Sequence, residues 1–514
     1  MNKISLIPFL LCATPPSSHA QHTQQPHIVL ILCDDMGFSD LGCYGSEIHT
    51  PNIDKLAQDG IRFSQFKNTG RSCPSRAALL TGRYQHQVGM GWMAEVDEHR
   101  PGYRGQIDKE YPTIAEIMKA GGYHTYMSGK WHVTTTGGYD APNGSYPVQR
   151  GFDRYYGCLH GGGSYYKPAP VYNDLKRITQ LPDDYYYTKA ITDSAVSFIH
   201  THDVNKPMFL YLAHYAPHLP LQAPAEYVEK CMDRYKVGYD VLRKQRFEKQ
   251  KSLGLIPDNM ELPVFNKEFN GKRPSWNELT PEQQEKWIKD MATYAAMIEI
   301  MDEGIGQVIK ELKKKNMYEN TVFLFMSDNG ARSEEHTSEL QARTSSPLIL
   351  CYGNKNKNLR KGRVCNQPAH IIDIMPTCMA LGNVPYPKTF SHADLPGTNL
   401  LPAITGQSIH KRTLYFEHQS SCAIIEGNWK LVRADRNSQW ELIDLDKDPF
   451  ETHDLSATYP DKVEELESKW IEWANTHKVF PLEDKTWTER INFYHEKNSY
   501  QKGDYYLLTL KISH

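Results

Sequence analysis

Beyond its first twenty residues the chain has no apolar run of the roughly 20 residues that a membrane-spanning helix needs. The body of the protein is therefore expected not to cross a bilayer. Nor is there a surplus of either charge, with 58 basic against 61 acidic side chains. That balance argues against a basic nucleic-acid binder or a polybasic membrane binder. The 10 cysteines include no Cys-x-x-Cys or similar zinc-type spacing, so a structural zinc module is not expected. No disulfide pairing can be read from their scatter, and most are expected as buried thiols. No internal repeat is visible, which argues against a solenoid or propeller.

What is present begins with an export signal. Lys3 supplies a positive start, Ile4 to Ala13 a short apolar run, and Ser18-His19-Ala20 a cleavage site. Residues 1–20 are expected to be removed, which places the mature protein in a periplasm or outside the cell. Tyrosine is abundant, at 31 residues, as is common where flat polar ligands such as sugars bind. Up to about residue 382, buried-type strands alternate with amphipathic helices. This is the pattern of one α/β domain on a large, mostly parallel or mixed sheet flanked by helices. The expected division is 21–385 for that domain, 386–480 for a small antiparallel sheet with a helix, and 481–514 for a tail.

Two strand ends stand out. His27 to Cys33 is a continuous apolar run, as in a strand buried on both faces, and it ends in Asp34-Asp35. Adjacent carboxylates there mark either a metal site or a solvated turn. Thr321 to Met326 repeats the pattern and ends in Ser327-Asp328-Asn329-Gly330. If the two strands are neighbours, four hard oxygen ligands with three negative charges meet at one sheet edge. That set suits Ca²⁺ best, with Mg²⁺ the second choice.

Between these strands lies Ser72-Cys73-Pro74-Ser75-Arg76, running on to Gly82. Pro74 suits the first turn of a helix and Gly82 its exit. Ser72 then sits at the helix start, either as an ordinary cap or where N–H groups and Arg76 converge on an anion. Gly129-Lys130-Trp131-His132 follows another strand, and Ala216-Pro217-His218-Leu219-Pro220 a third.

Taken together, these motifs resemble the type I, formylglycine-dependent sulfatases of the arylsulfatase-like family, within the alkaline phosphatase-like superfamily. The signature Cys/Ser-x-Pro-Ser-Arg-x-x-x-Leu-x-Gly is matched by Ser72, Pro74, Ser75, Arg76, Leu80 and Gly82. The remaining motifs occur in the family's order over roughly residues 26–480. The register makes Ser72, not Cys73, the key residue, as in the serine-type members matured by a radical enzyme.

The resemblance implies sulfate ester hydrolysis with a formylglycine (3-oxoalanine) made from Ser72. It implies Ca²⁺ held by Asp34, Asp35, Asp328 and Asn329, with an oxygen of residue 72. It also implies charge stabilisation by Arg76 and Lys130, a base at His132 and leaving-group assistance from His218. The expected partners are a sulfated small molecule or glycan and the maturation enzyme. Within the same superfamily, a phosphodiesterase or phosphonate hydrolase is the alternative activity.

One departure bears on activity. The family places a lysine between the Asp-Asn-Gly strand and the next strand, but no lysine lies between Gly330 and Ser346. Arg332 to Gln341 instead resembles the translated read-through of a common sequencing adapter. If that segment is genuine, a non-catalytic binder of sulfated glycans becomes a further reading.

Overall fold

A computed structural model describes residues 25–135, 142–263, 274–331, 345–353, 361–409, 411–483 and 485–497. The export signal and most of the lysine-free segment therefore lie outside the described residues. Among those described, no helix is long and apolar enough to cross a membrane.

The strands of the first half are β1 (His27–Cys33), β2 (Ile61–Phe63), β3 (Phe66–Lys67), β4 (His124–Gly129), β5 (Arg154–Cys158), β6 (Val171–Asn173), β7 (Lys176–Arg177) and β8 (Met208–Ala213). They are followed by β9 (Thr321–Ser327), β10 (Leu348–Tyr352), β11 (Arg363–Cys365) and β12 (Ala369–His370). Ten of these form one mixed sheet in the order β11-β2-β10-β9-β1-β8-β4-β5-β6-β7. The centre is parallel: Cys33 of β1 aligns with Ser327 of β9, Leu32 with Ala213 of β8, and Ala213 with Gly129 of β4. The carboxyl ends of all four central strands thus meet at one edge, where open α/β sheets bind ligands.

Successive side chains on a strand face opposite sides. Ile28, Leu30 and Leu32 of β1 enter one core, and Val29, Ile31 and Cys33 the other. Both faces are covered, which is why β1, β8 and β9 read as unbroken apolar runs. Burying each such Leu or Ile contributes about 1.5–3 kcal/mol. The long helix Pro281–Lys314 packs its Ala295, Ile298, Met301 and Ile305 stripe into the second core, against helices Tyr187–Thr201 and Ala225–Tyr235.

The small sheet is an antiparallel meander of β13 (Leu414–His418), β14 (Ser421–Glu426), β15 (Trp429–Arg433) and β16 (Glu441–Asp444). Trp470 of helix Pro460–Thr476 seals it and donates to the Phe416 carbonyl at 3.1 Å. The stretch expected as a tail contains a helix, Trp487–Lys497. Its Arg490 is 2% exposed, bonds Glu98 at 2.7 Å through Nε and lies over the Trp92 ring at 4.6 Å.

Candidate active site

The β1–β9 register sets Asp34 beside Asp328. The Asp328 amide donates to the Cys33 carbonyl at 3.1 Å, and the Asp35 amide to Asp328 Oδ1 at 3.3 Å. Asp35 takes a left-handed backbone (φ 60°), a conformation aspartate tolerates better than most residues. Asn329 Nδ2 donates to Asp35 Oδ1, and His218 Nε2 lies 3.6 Å from Asp35 Oδ2.

Ser72 opens the helix Ser72–Thr81, which ends at Gly82 in the left-handed region (φ 63°). Its hydroxyl does not cap the helix. Arg76, one turn on, donates through Nε to Ser72 Oγ at 2.9 Å, and His132 Nδ1 lies 3.4 Å from the same oxygen. Arg76 also holds Asp328 at 2.9 Å and donates to the Lys130 carbonyl at 2.9 Å. Lys130 Nζ meets Asp34 Oδ2 at 2.5 Å. Residues from four strand ends and one helix start thus form a single cluster.

Its electrostatics are those of a dry site built around charge. Burial and the neighbouring Asp328 push the Asp34 carboxyl well above its usual range, against Lys130 and Arg76. Burial first, then Lys130, brings His132 down to about 4, with Glu95 opposing. Burial also brings His218 to about 4, against the pull of Asp35. His218 stacks on Tyr215 at 5.0 Å, and its Nδ1 bonds the Leu219 carbonyl at 2.5 Å, so Nε2 faces the site.

The donors suit a hard cation. Asp34 Oδ1 and Asn329 Oδ1 are buried acceptors without a hydrogen-bond partner. Asp34, Asp35 and His218 also place ligand atoms within 4.8 Å of one another. Orphaned acceptors beside clustered carboxylates carry a cost that a bound cation removes.

Cys73 behaves as expected of a buried thiol. It is 0% exposed, accepts from the Ala94 amide at 3.4 Å, and burial raises its pKa well above that of a free thiol. All nine described cysteines are buried and unbridged.

Sequence reasoning did not find Glu95, whose Oε1 lies 3.0 Å from His132 Nε2. No motif marks it, because the contact is made across 37 residues of chain. Gly162 and Gly163, with Lys130, His160, Pro168, Tyr187 and Tyr215, line a small recess beside the site. The Gly163 amide donates to the Tyr215 hydroxyl at 2.9 Å.

Residues 26–384 match the family model described as Sulfatase. The chain belongs to the sulfatase family. An uncharacterized sulfatase of Schizosaccharomyces pombe is 30% identical over 92% of this chain and 97% of its own length. The arylsulfatase of Klebsiella aerogenes is 36% identical over 64% of this chain and 72% of its own. Among solved structures, Ps i-CgsB in complex with k-i-k-neocarrahexaose superposes with a TM-score of 0.68 at 25% identity, covering 93% of this chain and 98% of that one. This sulfatase is therefore a type I member of the alkaline phosphatase-like superfamily and a hydrolase of sulfate esters.

Proposed function

We propose that this sulfatase cleaves a sulfated carbohydrate through a formylglycine made from Ser72, beside Ca²⁺ held by Asp34, Asp35, Asp328 and Asn329 with an oxygen of residue 72. The supporting observation is the buried helix-start serine, in contact with Arg76 and His132 at the edge of the acidic cluster. Unmodified serine is a weak nucleophile. A formylglycine supplies a hydrated carbonyl, whose hydroxyl is the better one. Bound Ca²⁺ supplies Lewis-acid polarisation of the sulfate and offsets the carboxylates.

The protein's own groups do the rest. Arg76 and Lys130 bind the sulfate oxygens and stabilise charge that grows as the S–O bond to the alcohol breaks. His132, at the residue-72 oxygen, takes the proton whose loss releases sulfate. His218, on the other side of the cluster, serves the departing alcohol. The maturation partner is a serine-type radical enzyme, and the working location is a periplasm or the cell exterior.

The neocarrahexaose complex of Ps i-CgsB supports a sulfated carbohydrate as the substrate class.

The test is co-expression with a serine-type maturation enzyme, intact-mass measurement and a sulfate-release screen. Loss of two hydrogens at residue 72 and release from sulfated oligosaccharides are expected. Unmodified Ser72 in that sample would sink the formylglycine reading. Turnover of bis-aryl phosphate alone would favour the phosphodiesterase alternative, and binding without turnover the glycan-binder reading.

A further inference from the structure

Four features fix the His132 ring. The backbone is left-handed there (φ 56°), and the His132 amide donates to the Leu159 carbonyl at 3.1 Å. Gly161 lies so close that a Cβ on it would fall 2.1 Å from ring Cε1 and Nε2. The two ring nitrogens are engaged on opposite sides, Nδ1 with Ser72 Oγ at 3.4 Å and Nε2 with Glu95 Oε1 at 3.0 Å.

Glu95 is itself secured. The neighbouring Ala94 amide bonds Cys73 Sγ at 3.4 Å, beside the serine. Three residues further on, Glu98 is pinned by Arg490, which also covers Trp92. The loop bearing Glu95 is thus tied at one end to the serine helix and at the other to the C-terminal helix.

A neutral imidazole has one donor and one acceptor nitrogen, and an ionised carboxylate accepts only. The hydrogen bond made by one nitrogen therefore decides which nitrogen carries the proton. We infer that Glu95 is a positioning residue for His132, accepting the Nε2–H bond so that the bare Nδ1 faces the reacting oxygen on residue 72. The role assigned to Glu95 is exerted through the ring. The inference rests on the proposed role of His132.

Two measurements test it. The first uses protein expressed without the maturation enzyme, so residue 72 stays serine. Two-bond ¹H–¹⁵N spectra of histidine-labelled protein report the His132 tautomer, with peaks assigned by their loss in His132→Gln. Wild type and Glu95→Gln should show the Nε2–H form alone, and Glu95→Ala a mixture.

The second uses matured enzyme. Glu95→Ala should lower kcat about ten- to a hundredfold, as for other partners that orient a functional imidazole, while KM stays within about threefold. Glu95→Gln, whose amide oxygen still accepts, should recover most of kcat. An unchanged tautomer in Glu95→Ala overturns the inference, as does a loss carried by KM or an unchanged kcat. If matured wild type releases no sulfate, the mechanism fails, and the tautomer measurement still decides the role of Glu95.

Discussion

Ser72 and Cys73 are chain neighbours with different partners. Ser72 Oγ contacts Arg76 and His132, while Cys73 Sγ accepts from the Ala94 amide and has ligand atoms of Glu95 and His132 within 4.8 Å. Ser72→Ala is expected to reduce sulfate release to background. Cys73→Ala should keep most activity and cost about 1 kcal/mol of stability, as a typical core truncation. Kinetics and denaturant unfolding of the two variants check this.

His214 makes a second case at this scale, because both its ring nitrogens are buried without a hydrogen-bond partner. Burial holds its pKa near 3, against 6.5 when unfolded. Below pH 6.5 the unfolded chain takes a proton that the folded one refuses. Stability is therefore fully present above that pH and is lost as pH falls toward 3. At about 1.4 kcal/mol per pH unit, the loss at pH 5 is about 2 kcal/mol. His214→Leu should flatten this slope in unfolding curves taken between pH 7.5 and 5.

At the scale of elements, the acidic cluster proposed to hold the metal is made by strand register. Aligning Cys33 with Ser327 brings Asp34 and Asp328 together. Calcium at a hundred times its Kd should add about 2.7 kcal/mol to stability, through selective binding to the folded state. A chelator should remove that increment, and Asn329→Ala should blunt the response to added Ca²⁺ in thermal unfolding. A wild-type melting curve insensitive to Ca²⁺ would refute the site.

The C-terminal helix carries another prediction. Arg490 and Glu98 form an ion pair with side chains 2% and 0% exposed. Removing one partner of a buried pair typically costs about 3–5 kcal/mol. Arg490→Ala should fall near the lower end, because Arg100 also reaches Glu98 at 3.2 Å. Protease cutting within residues 92–100 is expected to rise in that variant.

For the whole molecule, the open question in the sequence is the segment after Gly330. Resequencing the genomic locus is expected to replace the codons for 332–341 and to supply a lysine. An enzyme carrying that restored loop should release sulfate faster than the chain as written. Identical codons at the locus would end the adapter reading.

The amino-acid order by itself determined the strands that end in Asp34-Asp35 and Asp328-Asn329, the helix that starts at Ser72, and the preference for Ser72 over Cys73. These are local matters of apolar runs, proline and glycine placement and motif register. The small C-terminal sheet was legible for the same reason, its strands being short apolar runs set off by turns. Glu95, the packing of Arg490 on Trp92 and Glu98, and the recess over Lys130 were settled only by tertiary structure. Each is a contact between segments far apart in the chain: Glu95 with His132 across 37 residues, Arg490 with Glu98 across 392. No local spacing encodes such a pair, because the fold of the intervening chain decides which surfaces meet.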